Sequence, residues 1–450
     1  MDSHIDDTQI LPLSMKHNFW TWSAQGQVQP IPVTRAQGVY FWDADGKRYL
    51  DLNSMVMCCN IGHGDRRVID AIIRQANELV FAGPGMATRP RAELGRLLAE
   101  ITPGGLNRFL YTLGGADANE HAIRLARAHT GRHKILARYR SYHGATAGAM
   151  AATGDPRRVA WEPGVMPGVV HFLDPYAYRS AFHPPGRQTD PQIIKDDFLR
   201  HLEEVITLEG PHTIAAVLLE TVTGTNGVIV PPPGYLKGVR DLCDHHGILL
   251  ICDEVMSGFG RTGRWFAVDH WDVVPDLMTM AKGLTSGYAP LGAVAMRQEI
   301  ADTFRERAYQ GGLTYNAHPL SMAAAIANIH VMQEDGLVER ADRMGKVLAR
   351  LLRDLGEAHR SVGEVRSIGL FAAIELVRNR GTREPLAPFG SSSPVMEAIR
   401  RRLLEDGVFL YTHWHTLLVI PPLIITEEQL EEGFAHIDLA LSLADEAASG

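Results

Sequence analysis

The sequence predicts an α/β protein built on an open, mostly parallel β-sheet. Three observations carry that expectation. The runs 214–220 and 248–252 are apolar on both faces, as strands buried between two helical layers are. Such runs alternate with helical stretches, for instance 235–246, closed by Gly247. Each of three runs also leads to an ionisable residue: Glu220, Asp253 and Lys282. Ligands of open α/β sheets bind beyond the carboxyl ends of the strands, so these three side chains should meet at one rim.

The chain has 450 residues, more than one hydrophobic core usually serves, so two or more domains are expected. Hydrophobic residues make up 45% and charged residues 21%, an ordinary globular balance. A net charge of −8 argues against nucleic-acid binding. Cys58 and Cys59 are neighbours and Cys252 sits in an apolar run; with Cys243 they suggest neither a disulfide framework nor a metal site. The acidic start has no signal-peptide pattern and no apolar run is long enough to span a membrane, so a cytoplasmic location is expected.

In chain order, the first thirty-odd residues read as an extended arm carrying Phe19, Trp20 and Trp22. The two tryptophans either anchor that arm or line a pocket. Residues 38–52 form a β-hairpin about the tight turn Asp45-Gly46. Residues 53–64 suit a loop near a ligand, with His63 structural. Helices follow over 65–80 and 92–101, separated by the Gly/Pro loop 81–86. The strand 107–113, the turn Gly114-Gly115-Ala116 and the helix 117–127 make an anion site, because bare amides and the positive helix end face one spot. Tyr142 leaves the strand 135–139 on a glycine-bearing loop, placed to stack on a planar ligand or on its own helix. The stretch 147–153 is small-residue helix or loop, 161–190 irregular surface and 191–208 helix. A strand at 291–296, a loop at 311–315 and an Ala-rich helix from Pro319 complete this part, and Glu334-Asp335-Gly336 marks a domain change. Beyond it come a charged helix to about 356, paired strands over 365–376, a helix over 394–406, a strand over 416–420, and a last helix capped by Thr426 and Gln429.

Lysine is scarce. There are seven, leaving thirty-seven arginines among the 44 basic residues (44 − 7). Arginine serves most ion pairs, but it does not bond covalently to an aldehyde as a desolvated lysine does. Lys282 stands in Ala281-Lys282-Gly283, at the end of a short apolar run. Asp253-Glu254-Val255 and Gly258-Phe259-Gly260-Arg261-Thr262-Gly263 precede it, and the Gly-rich loop 311–318 follows. Over nearly its full length the chain resembles the class III (ω-type) aminotransferases, pyridoxal-phosphate enzymes of fold type I.

That resemblance implies a large cofactor domain over 61–333 with a mostly parallel seven-stranded sheet. It implies a smaller α+β domain over 334–450, with 1–60 as an N-terminal arm and part of that smaller domain. Lys282 would hold the cofactor covalently and move the proton. Asp253 would pair with the ring nitrogen. Val255 and Tyr142 would flank the ring, and Gly115 and Ala116 would give amides to the phosphate. Thr314 would reach the phosphate of the neighbouring subunit in a homodimer or tetramer, and Glu220 would sit near the ring's hydroxyl or steady its neighbours. The phosphate turn lacks two hydroxyls usual in the family, so His143 is expected to assist there. Phe19, Trp20, Met57, Gly85, Arg89 and Tyr411 are the expected substrate residues, Tyr411 falling where many members carry a mobile arginine. The implied reaction moves an amino group from an ω-amino acid or amine to a 2-oxo acid such as pyruvate. An aminomutase of the glutamate-1-semialdehyde type or an amine lyase is the alternative within the same chemistry, and a non-enzymatic binding protein or a dehydrogenase the alternative outside it.

Overall fold

The structure, a computed structural model, describes residues 5–180, 182–183 and 190–449. Its centre is a seven-stranded sheet in the order Arg108–Thr112, Gly292–Met296, Leu277–Met280, Leu249–Asp253, Ile214–Glu220, Lys134–Arg138, Val169–Phe172. Gly292–Met296 runs antiparallel to both neighbours, and every other pair is parallel. The expected mostly parallel α/β architecture of fold type I is present.

Both sheet faces are covered, which is why the strands read as continuous apolar runs. Along Ile214–Glu220, Ala216 and Leu218 pack in one apolar cluster with Ile123 of the helix Gly115–Thr130. Val217 and Leu219 belong to the other cluster, with Leu236 and Val239 of the helix Tyr235–His246. Gly131 (φ 69°) and Gly247 (φ 60°) end these two helices in the left-handed conformation, as glycine allows at little cost.

Two smaller sheets flank the centre. One contains Val33–Gln37, Tyr40–Asp43, Arg48–Asp51 and Val408–Phe409. The last pairs in parallel with Arg48–Asp51, so segments from the two ends of the chain share hydrogen bonds. The other is built from Val362–Ile368, Phe371–Asn379, Thr416–Val419 and Tyr411–His413, with Glu384–Pro385 on its side. Thr426 and Gln429 form a capping box at the start of the helix Glu427–Ala447.

Some sequence expectations need correction. Residues Asp7–His17 form a helix, not an extended arm; Asp6 and Gln9 close a capping box at its start. The stretch 161–190 contains the edge strand Val169–Phe172, hidden among prolines and glycines; residues 181 and 184–189 of it lie outside the described residues. The connection from Asp253 to Leu277 holds only the short 3-10 turn Ala267–His270 instead of an α-helix. Within 53–64, Ser54, Met55, Val56 and Met57 all have positive φ, at 48°, 43°, 61° and 60°. They make one left-handed turn without a glycine, a conformation costing L-residues about 1–2 kcal/mol each.

Candidate active site

Strand register assembles the site. Glu220 lies opposite Asp253, and Asp253 opposite Thr279, at the carboxyl edge of the sheet. Leu277–Met280 ends just short of Lys282, which opens a 3-10 turn with φ 41°. Asn328 holds that turn by donating Nδ2 to the carbonyls of Gly283 (2.9 Å) and Leu284 (3.1 Å). Lys282 faces a cavity of about 260 Å³. Burial pulls its pKa down, against the opposing pull of Cys58, Asp253 and Glu220.

The Asp253 carboxylate is fixed on several sides. Its Oδ2 accepts from Asn119 Nδ2 and lies against His143 Nδ1, each at 2.7 Å, and its Oδ1 accepts from the Val255 amide at 3.0 Å. Asn119 is itself locked: it donates to the His143 carbonyl (2.9 Å) and accepts from Thr279 Oγ1 (2.8 Å). His143 turns its Nδ1 to Asp253, and its ring stands in the cavity wall with Gly115 and Ala116. Glu220 accepts from the amides of Tyr142 (2.9 Å) and Gly224 (2.7 Å), so it steadies two cavity loops; burial raises its pKa.

The helix Gly115–Thr130 starts two residues earlier than the sequence suggests. Its N-cap, Gly114, offers no side-chain bond to the first amides. Gly115 and Ala116 stand in the cavity wall with that bare end. A Cβ on Gly115 would come within 2.9 Å of Val255, and one on Gly144 (φ 133°) within 2.4 Å of the Ala116 Cβ, so close packing here requires glycine.

Tyr142, Val255, Met57 and Tyr411 line the same cavity, as expected. Other expected positions do not. Phe19 is 83% exposed, and neither it nor Trp20 reaches the cavity; Trp22 does. Gly85 lies in an open loop. Arg89 begins the helix Arg89–Ile101 and lies 3.6 Å from Glu78, its side chain mostly exposed. Thr314 is exposed and does not line the cavity of its own chain. Its loop packs against the 81–86 loop through Phe81, 5.7 Å from the Tyr315 ring and 5.5 Å from His318.

Sequence reasoning missed Asn119 and Arg157. Asn119 follows Ala116 by about one helical turn, so the helix period places it on the same side. Arg157, in Gly154-Asp155-Pro156-Arg157-Arg158, gave no signal among so many arginines.

These residues fit pyridoxal phosphate. A bare helix start suits a phosphate, a buried carboxylate suits a protonated ring nitrogen, and a lysine whose charge is disfavoured shares their cavity. Fold and site together define a fold type I pyridoxal-phosphate enzyme. The family model for class III aminotransferases matches residues 22–441. The putrescine–pyruvate aminotransferase of Pseudomonas aeruginosa is 33% identical over 429 residues, covering 93% of this chain and 91% of that protein. The taurine–pyruvate aminotransferase of Bilophila wadsworthia is 34% identical, covering 98% of each. The solved structure of taurine:2-oxoglutarate aminotransferase from Bifidobacterium kashiwanohense, in complex with PLP and glutamate, superposes with a TM-score of 0.95. It is 42% identical and 99% of each chain is covered. The chain belongs to the class III aminotransferases and uses pyridoxal phosphate.

Proposed function

We propose that the protein transfers an amino group from an ω-amino acid or amine to a 2-oxo acid, with pyruvate as the first acceptor to test. The observation that carries this reading is Lys282 and the fixed Asp253 carboxylate sharing one cavity with a bare helix end. Pyridoxal phosphate supplies, when bound, an electron sink that makes the proton on the donor's amine-bearing carbon removable. Lys282 Nζ, its charge disfavoured by burial, would provide the covalent attachment and then take and return that proton. Asp253, held by Asn119 and His143, keeps a proton at the ring nitrogen. The Gly115 and Ala116 amides would receive the phosphate, and Val255 and Tyr142, in the same cavity wall, would flank the ring.

The proposal includes a homodimer or a larger assembly in which Thr314 of the partner subunit completes the phosphate site. Support comes from the exposure of Thr314 and of Phe81, Met86 and Tyr315 beside it. It keeps the division at residues 60 and 333, which the shared sheet of the chain ends favours. It also includes a cytoplasmic location, favoured by four free cysteines. Among the described residues no helix is long and apolar enough to cross a membrane.

The test is a donor panel with pyruvate: β-alanine, taurine, 4-aminobutanoate, diamines and aryl-alkyl amines. Alanine should appear with at least one donor, and Lys282→Ala should abolish both alanine formation and the visible absorption of the bound cofactor. Absence of alanine from pyruvate and of glutamate from 2-oxoglutarate, with every donor, would turn the assignment towards the aminomutase or lyase alternative.

A further inference from the structure

Among the described residues Arg157 is the one guanidinium in the cavity wall. It follows an Asp-Pro turn whose Asp155 Oδ1 accepts from the Arg157 amide at 3.0 Å. Its Nε donates to both Asp155 oxygens (3.0 and 2.9 Å). Its Nη2 donates to Asp155 Oδ2 and, at 3.1 Å, to Thr225 Oγ1. Asn226 Nδ2 braces the same Asp155 oxygen at 3.3 Å. The guanidinium carbon lies 3.9 Å from the centroid of the Tyr142 ring.

All of those side-chain hydrogen bonds use Nε and Nη2. Nη1 makes none among the described residues, although the side chain is only 24% exposed. A planar fork held by one edge and stacked on a ring presents its other nitrogen ready-aimed, with little entropy left to lose. The strands deliver Asp253 and Glu220 to the same cavity, and Tyr411 closes it beside Arg157. The cavity is therefore polar in one sense: carboxylates at the strand ends with Lys282, a guanidinium on the wall.

We propose that Arg157 Nη1 binds the acid group, carboxylate or sulfonate, at the end of the donor remote from its amine. The inference rests on the aminotransferase reading and adds the donor's chemical class: an amine carrying an anionic group. The fixed Asp253 carboxylate disfavours the acid group at the strand ends and Arg157 draws it to the wall, which leaves the amine end towards Lys282. Tyr411, whose hydroxyl lies 3.3 Å from His413 Nδ1, is positioned as a neutral neighbour of the bound anion.

Two kinds of measurement test this. The first follows the donor half-reaction of the cofactor-loaded enzyme by its absorption change, using matched donors: 3-aminopropanoate against 1-aminopropane, and 4-aminobutanoate against 1-aminobutane. In Arg157→Met, kcat/KM for the two acids should fall by about a hundredfold, through KM, while the neutral amines change less than about threefold. Arg157→Lys should recover part of the loss. The second is calorimetric binding of butanoate, which needs no turnover and should weaken at least about tenfold in Arg157→Met. Equal losses for acids and neutral amines would make Arg157 a support for Tyr142 only, and unchanged butanoate binding would overturn the inference outright. A wild-type enzyme that binds butanoate through Arg157 but reacts with no donor would sink the aminotransferase reading and leave the anion site standing.

Discussion

Asn119→Ala removes one side chain from the centre of the Asp253 network. Three hydrogen bonds go with it: the charge-assisted bond to Asp253 at 2.7 Å, the bond to the His143 carbonyl at 2.9 Å and the one received from Thr279 at 2.8 Å. A bond to a buried charge is worth about 1.5–3 kcal/mol and a neutral one about 0.5–1.5 kcal/mol, so the expected destabilisation is about 2.5–6 kcal/mol. Urea unfolding at fixed protein and cofactor concentration reads the change as a lower midpoint. Asn119→Asp sharpens the test. It puts a second carboxyl where a donor stood, and that group ionises as pH rises, so the penalty should be larger at pH 8 than at pH 5. If Asn119→Ala stayed within about 1 kcal/mol of wild type, or the penalty of Asn119→Asp ignored pH, the claim that Asn119 anchors Asp253 would be wrong.

Arg261 offers a second test. Fully buried, it donates to the carbonyls of Leu370 (3.0 Å) and Pro421 (2.5 Å), to Asn60 Oδ1 (2.8 Å) and to Ser54 Oγ (3.3 Å). Arg261→Met should cost about 3 kcal/mol or more in urea unfolding, because buried carbonyls lose their donor, and a loss below about 1 kcal/mol would count against that role. Acid stability gives a third. Arg67 links Asp65 (2.6 Å) and Asp335 (2.7 Å), and its hydrogen bonds hold both carboxyls below the ordinary 3.8. Their contribution is present above about pH 4 and disappears as pH falls through the depressed values. Arg67→Gln should therefore make the drop in Tm between about pH 5 and pH 3 shallower than in wild type; parallel curves would refute the link.

The sheet was legible because burial on both faces writes itself as apolar runs, and the rim was legible because each run ended on a charge. Glu220, Asp253 and Lys282 could be placed from that logic alone. What the sequence hid has physical reasons. Val169–Phe172 is an edge strand of four residues, too short to show a period among prolines and glycines. The N-terminal helix buries no residue, so it lacks the apolar stripe that announces a helix. Trp22, which the sequence left open between anchoring the arm and lining a pocket, lines the cavity where Phe19 and Trp20 do not; nothing in the sequence of this stretch tells which aromatic turns inward. Arg157 reaches the cavity through loop geometry set by an Asp-Pro turn, and no periodicity reports where such a turn aims.

The shared sheet of the chain ends bears on how this protein comes into being. Leu50 and Leu52 donate their amides to Gly407 and Phe409, each at 2.8 Å, and the Ile420 amide bonds to the Leu52 carbonyl at 2.7 Å. From residue 51 to residue 408 is a gap of 357 positions (408 − 51). At about 5–20 residues per second, a ribosome needs about 20–70 seconds to make that span. Throughout that time Leu50 and Leu52, buried in the finished molecule, wait without their final neighbours. Nascent chains stalled before residue 408 should thus be the species that chaperones capture and proteases cut. Deleting residues 407–450 would freeze every molecule close to that vulnerable stage.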